Sequence, residues 1–340
     1  MPGNSKRYYR PLVQMGPQRP KGAQVLAGGW CWFTEVEVIS REVSPRIVPA
    51  QEIPAEALSA LTTQRAAVSG LCMSRPRIMG ILNVTPDSFS DGGQFHAPGA
   101  AIAQADKLIT QGADLLDIGG ESTRPGAEEV PVAQEIDRTI PIIEALGPKP
   151  AVPVSIDTRK SSVARAALAA GASILNDVAA MTFDPAMAEV AAESGAPICL
   201  MHAQGDPKIM QANPQYDDVL LDVYDYLAER VSAAEAAGIA RERVIVDPGI
   251  GFGKTMEHNL TLLRNLSLFQ GLGCSVLLGA SRKRFVGTLT GRNDAKDRVA
   301  GSVGVAIAAV GQGVQIVRVH DVAETRDALT MWLAAIGAGA

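Results

Sequence analysis

Asp157, Asn176 and Asp247 each close a short, mainly apolar run in this sequence, following Val154-Ser155-Ile156, Ile174-Leu175 and Val244-Ile245-Val246. A carboxylate drawn into apolar surroundings without a partner is expensive, so something must satisfy these groups. Capping of a following helix serves for each one taken alone. Three of them converging on one pocket suit a ligand edge rich in N–H donors, as in a guanidine-like heterocycle such as a pterin or guanine. Cations stand at the ends of two further runs. Ser281-Arg282-Lys283 follows Cys274-Ser275-Val276-Leu277-Leu278-Gly279-Ala280 and brings positive charge to the start of a helix, whose free N–H groups also favour anions. A solvated helix lysine is the alternative for Lys283. In Arg318-Val319-His320 the alternation of a strand puts Arg318 and His320 on the same side, a pair suited to phosphate oxygens.

Two loops, one glycine-rich turn and one histidine complete the chemistry. The segment from Asn83 to Gly93, with Thr85, Pro86, Asp87 and Phe89, is a turn by composition, or a lid if it stands at the mouth of a site, where its paired glycines allow movement. In the segment from Asp117 to Gly126, Gly119-Gly120 lets backbone approach a ligand, while Thr123 and Arg124 offer a hydroxyl and a fixed fork of donors to an anion. A surface loop with a solvated arginine is the alternative. Asp247 to Lys254 looks superficially like a phosphate loop. Gly249 and Gly253 are one residue too close for the G-x-x-x-x-G-K-[ST] spacing, so a nucleoside-triphosphate site is rejected and Phe252 is read as a wall against a flat ring. His202 has no second His or Cys nearby in sequence, and a hydrogen-bonded structural role fits it better than zinc.

These residues need strands to carry them. Eight apolar runs end at Asn83, Asp117, Asp157, Asn176, His202, Asp247, Ser281 and His320, spaced 19 to 45 residues apart. Strands are expected over Arg77 to Val84, Leu115 to Gly119, Val152 to Asp157, Ser173 to Val178, Pro197 to His202, Val244 to Asp247, Cys274 to Ala280 and Gln315 to His320. They are short and rich in Val, Ile and Leu, as when both faces of a parallel sheet are covered. Helices fit between them, with Ser161 as a cap for the Ala-rich stretch to Ala170, Asp184-Pro185 opening another, and Asp217 to Gly238 the longest. The rhythm is that of a (β/α)8 TIM barrel, in which strand C-termini surround one shared pocket. An open doubly wound sheet is the rival, but it rarely runs to eight consecutive units with chemistry at every strand end.

Composition agrees with a large core: 340 residues with 47% apolar content allow one barrel plus an extension as well as two domains. A net charge of -5 gives no general attraction to nucleic acid or anionic membrane. Cys31, Cys72, Cys199 and Cys274 are scattered with no C-x-x-C pair, which suggests neither disulfides nor zinc and points to a reducing compartment. The first twenty-odd residues are basic and proline-rich without the apolar stretch of a secretory signal, so no export is expected. The most apolar helical candidate, Ala300 to Val310, is too short for a membrane span. Residues 1–75 form an N-terminal extension, partly ordered, with a strand expected over Trp30 to Ile39 and a helix over Pro54 to Gln64. A flexible tail, a β-element covering the bottom of the barrel and part of a subunit contact are all open to it, and Trp30, Trp32 and Phe33 favour packing on the barrel of residues 76–340.

Taken together, Met79 to Gly93, Asp117 to Gly126, Ser155 to Thr158, Asn176-Asp177-Val178, Met201-His202, Asp247 to Lys254, Ser281-Arg282-Lys283 and Arg318 to Val322 closely resemble dihydropteroate synthase over residues 76 to about 335. That family joins 4-aminobenzoate to 7,8-dihydropterin-6-ylmethyl diphosphate in folate biosynthesis, releasing diphosphate. The resemblance implies that Asp157, Asn176, Asp247 and Lys283 hold the pterin, with Met201 and Phe252 as walls. It implies that Asn83 ligates Mg²⁺, that Thr123, Arg318 and His320 contact the phosphates, and that Phe89, Thr123, Arg124, Pro125 and Ser281, with Thr85, Pro86 and Asp87 on the first loop, form the aminobenzoate site. A cytoplasmic homodimer and a sulfonamide target are further implications.

The chain departs from the family pattern in its longer extension and at Ala203 and Asp206, where Met and Thr are more usual. A pterin-binding barrel that transfers a methyl group would share the acidic residues but has no use for Arg318 and His320 as diphosphate ligands. A catalytically silent relative would be expected to lose a loop residue or Lys283, and none is missing.

Overall fold

The computed structural model describes residues 6–84, 98–122, 129–204 and 214–338. Its centre is a closed barrel of eight parallel strands in sequential order: β6 (Arg77–Asn83), β7 (Leu115–Gly119), β8 (Val154–Asp157), β9 (Ile174–Asp177), β10 (Ile198–Met201), β11 (Val244–Asp247), β12 (Ser275–Leu278) and β13 (Ile316–Val319). Around it run α2 (Pro98–Thr110), α3 (Val132–Ala145), α4 (Ser161–Ala170), α5 (Ala186–Ser194), α6 (Val219–Ala236), α7 (Met256–Arg264), α8 (Arg284–Thr290), α9 (Val299–Val310) and α10 (Val322–Ala335). All eight expected strands and the barrel are present. No helix among the described residues is long and apolar enough to cross a membrane.

Side chains alternate across a strand, so every second residue faces the barrel interior. The lower interior layer is apolar: Met79, Leu115, Ile174, Cys199, Ile245, Leu277 and Ile316 form one buried cluster. Two residues further along stand Ile81, Asp117, Asn176, Met201, Asp247, Gly279 and Arg318, four of them polar. One phase of the strand pattern therefore makes the floor and then the polar mouth. Asp117 closes its apolar run in the sequence but lies in the middle of β7, as the strand expected over Leu115 to Gly119 requires, fully buried with Ile118 and Gly119 continuing the pairing with β8.

Helix starts also needed correction. Ser161 does not cap α4; Lys160 occupies the cap position without a side-chain bond, and the Ser161 N–H donates to Asp184 Oδ2 at 2.8 Å. The other oxygen of Asp184 accepts from Ala186 N at 3.1 Å at the start of α5. One carboxylate thus satisfies donors at two helix N-termini. Asp218, whose carboxylate accepts from Leu220 N and Leu221 N, caps α6.

The extension is packed, not free. β1 (Tyr8–Pro11), β4 (Glu35–Ile39) and β5 (Arg46–Pro49) form an antiparallel sheet, β2 (Gln24–Val25) pairs with β3 (Trp32–Phe33), and α1 (Ala55–Thr62) follows. The single strand expected over Trp30 to Ile39 is divided at Thr34, because β3 pairs with β2 while β4 pairs with β1. Trp30 Nε1 donates to Val310 O at 2.8 Å, Arg65 Nη2 to Gln270 O at 2.7 Å, and Ser267 Oγ to Pro11 O at 3.0 Å. Val68, Leu71 and Met73 close the apolar barrel floor. Phe33 is fully buried within the main core. Phe33→Ala should therefore destabilise the whole protein by about 3–5 kcal/mol, read by urea unfolding as one shifted transition. A separate early transition with an unaltered barrel would show that the extension folds apart.

Candidate active site

Depth and charge conflict at the barrel mouth. Asp117, Asp157 and Asp247 are all buried, and an ionised carboxylate there requires a partner. Arg318, on β13, supplies one to two of them: its Nε donates to Asp117 Oδ2 at 2.5 Å and its Nη2 to Asp157 Oδ2 at 2.8 Å. Gly279, just past β12, lies beside it, and a Cβ there would make only ordinary van der Waals contact, 3.8 Å from Arg318 Cδ and 3.7 Å from Asp247 Oδ2. Asn176 Nδ2 donates to the same Asp117 oxygen at 2.9 Å. Asp247 Oδ1 accepts from Gly249 N at 2.7 Å.

These surroundings move the titrations. Burial pushes the Asp157 carboxyl up to about 7, against the pull of Arg318 and with added repulsion from Asp117. Burial also raises Asp247, opposed first by the Lys283 ammonium. Burial alone would lower Arg318, but the Asp117 and Asp157 carboxylates hold it above its ordinary value. The sequence reading aimed Arg318 at phosphate oxygens; this structure turns it onto two carboxylates, a partnership across strands that no local pattern encodes.

Lys283 sits at the N-terminal cap of α8. Its ammonium donates to Ile250 O and stands 4.3 Å from the centre of the Phe252 ring, a cation–π arrangement. Burial lowers it to about 8, with Asp247 opposing the shift and Arg318 adding to it. Arg282, expected to add charge to the mouth, points elsewhere: its guanidinium pairs with Asp321, with Nε to Oδ2 at 3.0 Å. Only Lys283 of that pair serves the pocket. Ser281 and His320 meet, with His320 Nδ1 3.0 Å from Ser281 Oγ.

The wall beside Lys283 depends on a glycine loop. Gly249 has φ +67° and a Cβ on it would fall 1.8 Å from His202 O, so only glycine fits. Lys254 is buried under this loop. Its Nζ lies 2.8 Å from His202 Nδ1 and donates to Phe252 O at 3.0 Å. The lysine therefore props the wall, in agreement with rejection of a triphosphate loop. His202 has the structural role expected of it: burial first, then the Lys254 charge, lowers its pKa to about 2, so the ring stays neutral. Burial also holds the Lys254 amine well below its ordinary value, so which of Nζ and Nδ1 donates in their contact follows the ring tautomer.

Asp157, Asn176, Asp247, Lys283, Met201, Phe252, Arg318, His320 and Ser281 are thus all found around the C-terminal mouth, as is Asn83 at the end of β6. Thr85, Pro86, Asp87, Phe89, Thr123, Arg124 and Pro125 lie outside the described residues, as does Asp206. Three residues had no assigned role in the sequence reading. Asp117 entered it only as the close of an apolar run. Asp177 is buried and accepts from Ala179 N at 2.8 Å and Met181 N at 2.6 Å, holding a turn in which Ala180 and Met181 have positive φ. Lys160 is buried with its ammonium on Glu121, Glu135 and Val130 O, and so ties together both sides of the second loop's base.

The family model for pterin binding enzymes matches residues 79–320. Dihydropteroate synthase of Escherichia coli strain K12 is 46% identical over 270 residues, 79% of this chain and 95% of the relative. The Synechocystis enzyme of that name is 48% identical over 248 residues, 73% of this chain and 86% of its own. Among solved structures, Xanthomonas albilineans dihydropteroate synthase with 4-aminobenzoic acid superposes with TM-score 0.75 at 50% identity, covering 80% of this chain and 97% of the other. The Yersinia pestis enzyme in a sulfonamide drug complex gives 0.76 at 44%, covering 81% and 100%.

The neutral, buried His202 generates a pH prediction. Its folded pKa lies below the unfolded value of 6.5, so below pH 6.5 only the unfolded chain takes up the proton. This contribution to stability is complete above pH 6.5 and is lost on acidification, by up to about 2 kcal/mol at pH 5. Urea unfolding at pH 7 and pH 5 should show wild type losing about that much more than His202→Gln. Equal losses would contradict the assignment.

Proposed function

The chain belongs to the dihydropteroate synthase family, and we propose how the residues of its barrel mouth divide that family's reaction among them. The protein is a transferase of folate biosynthesis. It condenses 7,8-dihydropterin-6-ylmethyl diphosphate with 4-aminobenzoate to give 7,8-dihydropteroate and diphosphate. The observation that carries the division of labour is the inward layer of Asp157, Asn176 and Asp247 with Lys283 opposite: acceptors for the N–H donors of a pterin, and one cationic donor for its remaining acceptors. Met201, 3% exposed, and Phe252 flank the ring plane.

In this reading, the pterin N–H groups take the place of Arg318 at Asp157. The guanidinium so released reaches the diphosphate, where His320 and Thr123 join it. The methylene C–O bond breaks, the electron pair leaves with diphosphate, and the pterin ring stabilises the methylene cation. Preorganised charge at the departing group contributes on the order of a few kcal/mol per contact. The arylamine of 4-aminobenzoate then forms the C–N bond and loses a proton. It is nucleophilic without a strong base at pH 7, so orientation by Phe89, Arg124, Pro125, Ser281 and the Thr85-Pro86-Asp87 loop supplies much of the remainder.

Magnesium belongs to this reading through Asn83. Among the described residues no group of three or more His, Cys, Asp or Glu could cage a metal, whereas one amide oxygen at a strand end suits an ion that keeps waters and substrate phosphate oxygens as its other ligands. When bound, Mg²⁺ would neutralise diphosphate charge. Buried Cys31, Cys199 and Cys274 and exposed Cys72 are all free, which supports a reducing, cytoplasmic setting. A homodimer is the family expectation, and exposed Met331 on α10 suits a subunit contact.

Diphosphate release by the purified protein should require the pterin diphosphate, Mg²⁺ and 4-aminobenzoate together; no release under any condition would overturn the reading. Pterin binding should be tightest between about pH 7 and 8, bounded by protonation of Asp157 below and deprotonation of Lys283 above. Asp157→Asn should weaken calorimetric pterin affinity by roughly tenfold or more and abolish the acid limb. An unchanged profile would remove Asp157 from the site.

A further inference from the structure

Asp117 is fully buried, and its two carboxylate oxygens are used unequally. Oδ2 accepts from both Asn176 Nδ2, at 2.9 Å, and Arg318 Nε, at 2.5 Å. Oδ1 is buried and has no hydrogen-bond partner. A half-satisfied carboxylate at such depth is costly, and an apolar residue would fill the barrel more cheaply. Its neighbours explain its presence. An amide has a donor end and an acceptor end, and only the donor end can face a carboxylate. The side chain at 117 therefore decides which end of Asn176 is left for a ligand.

We propose that Asp117 is a positioning residue that turns the Asn176 carbonyl oxygen toward the ligand and so completes an acceptor-only edge with Asp157 and Asp247. This rests on the pterin reading and deepens it. A donor-rich heterocycle edge requires acceptors at all three positions, and an amide free to flip would present N–H groups against N–H groups for part of the time. Asp117 also anchors Arg318 from the side, so one oxygen sets both the ring-binding amide and the guanidinium. It touches no substrate itself.

An exchange of side chains separates this role from simple structural support. Asp117→Asn leaves the 176 amide unspecified, because an amide at 117 both donates and accepts. Asn176→Asp sets two carboxylates face to face across a 2.9 Å contact, where like charges force one to protonate. The double exchange Asp117→Asn with Asn176→Asp restores one carboxylate and one amide with the polarity reversed, and again shows an acceptor to the ligand. Calorimetric binding of 6-hydroxymethylpterin, which lacks the diphosphate, reads the ring pocket alone. Each single variant should bind roughly tenfold or more weakly, and the double variant should recover most of that loss. A double variant no tighter than Asn176→Asp overturns the inference, as does wild-type affinity in Asp117→Asn. If Asp117→Asn fails to fold, the comparison of the double variant with Asn176→Asp still decides. Wild-type protein that binds no pterin overturns the underlying reading, and the inference with it.

Discussion

Three carboxylates lie within one barrel mouth, and two of them, Asp117 and Asp157, share a single guanidinium. The Arg318 pair of hydrogen bonds is the constraint on which the rest of the site depends. Leaving a buried charge without its partner costs about 3–5 kcal/mol, a large share of the roughly 5–15 kcal/mol by which a domain is stable. The arginine is what lets the fold carry these carboxylates at such depth. In the proposed division of labour that same arginine also serves the departing diphosphate. A ligand carrying N–H donors at one end and phosphates at the other satisfies both demands together, since it replaces the cation at Asp157 and gives it a new anion.

The fold converts this chemistry into a matter of strand phase. On four strands the interior position two residues above the apolar floor is polar, Asp117 above Leu115, Asn176 above Ile174, Asp247 above Ile245 and Arg318 above Ile316, while Ile81 above Met79 stays apolar. The outward phase of the strands is apolar beneath the helices except at Asp177, the last residue of β9. Rigidity of the floor is therefore inherited by the mouth, and small displacements of the strands would be felt at every functional side chain at once. The walls use a second device. Buried Lys254 props the Gly249-to-Gly253 loop against neutral His202, and the loop in turn holds Phe252 and the carbonyl that accepts from Lys283.

Much of this was legible in the sequence, for identifiable reasons. The eight strands were visible because both faces are covered and the runs are uniformly apolar. Asp157, Asn176 and Asp247 were visible because each ends its run. Asp117 was not singled out as functional, because Ile118 and Gly119 follow it and polarity in mid-strand carries no mark of which side it faces. The true partners of Arg318 and Arg282 lie on other elements, so the charges could be located but not their directions. Ser161 misled for the same reason: its helix start is satisfied by Asp184, from the unit after it. The division of Trp30 to Ile39 into two strands reflects two different partners, which alternation alone cannot reveal.

A crystal structure with 7,8-dihydropterin-6-ylmethyl diphosphate bound tests the central claim most directly. The account predicts the donor edge of the ring on Asp157, Asn176 and Asp247, with the Arg318 guanidinium moved from Asp157 onto the diphosphate. A ring bound elsewhere, or a complex in which Arg318 stays on Asp157, would contradict it.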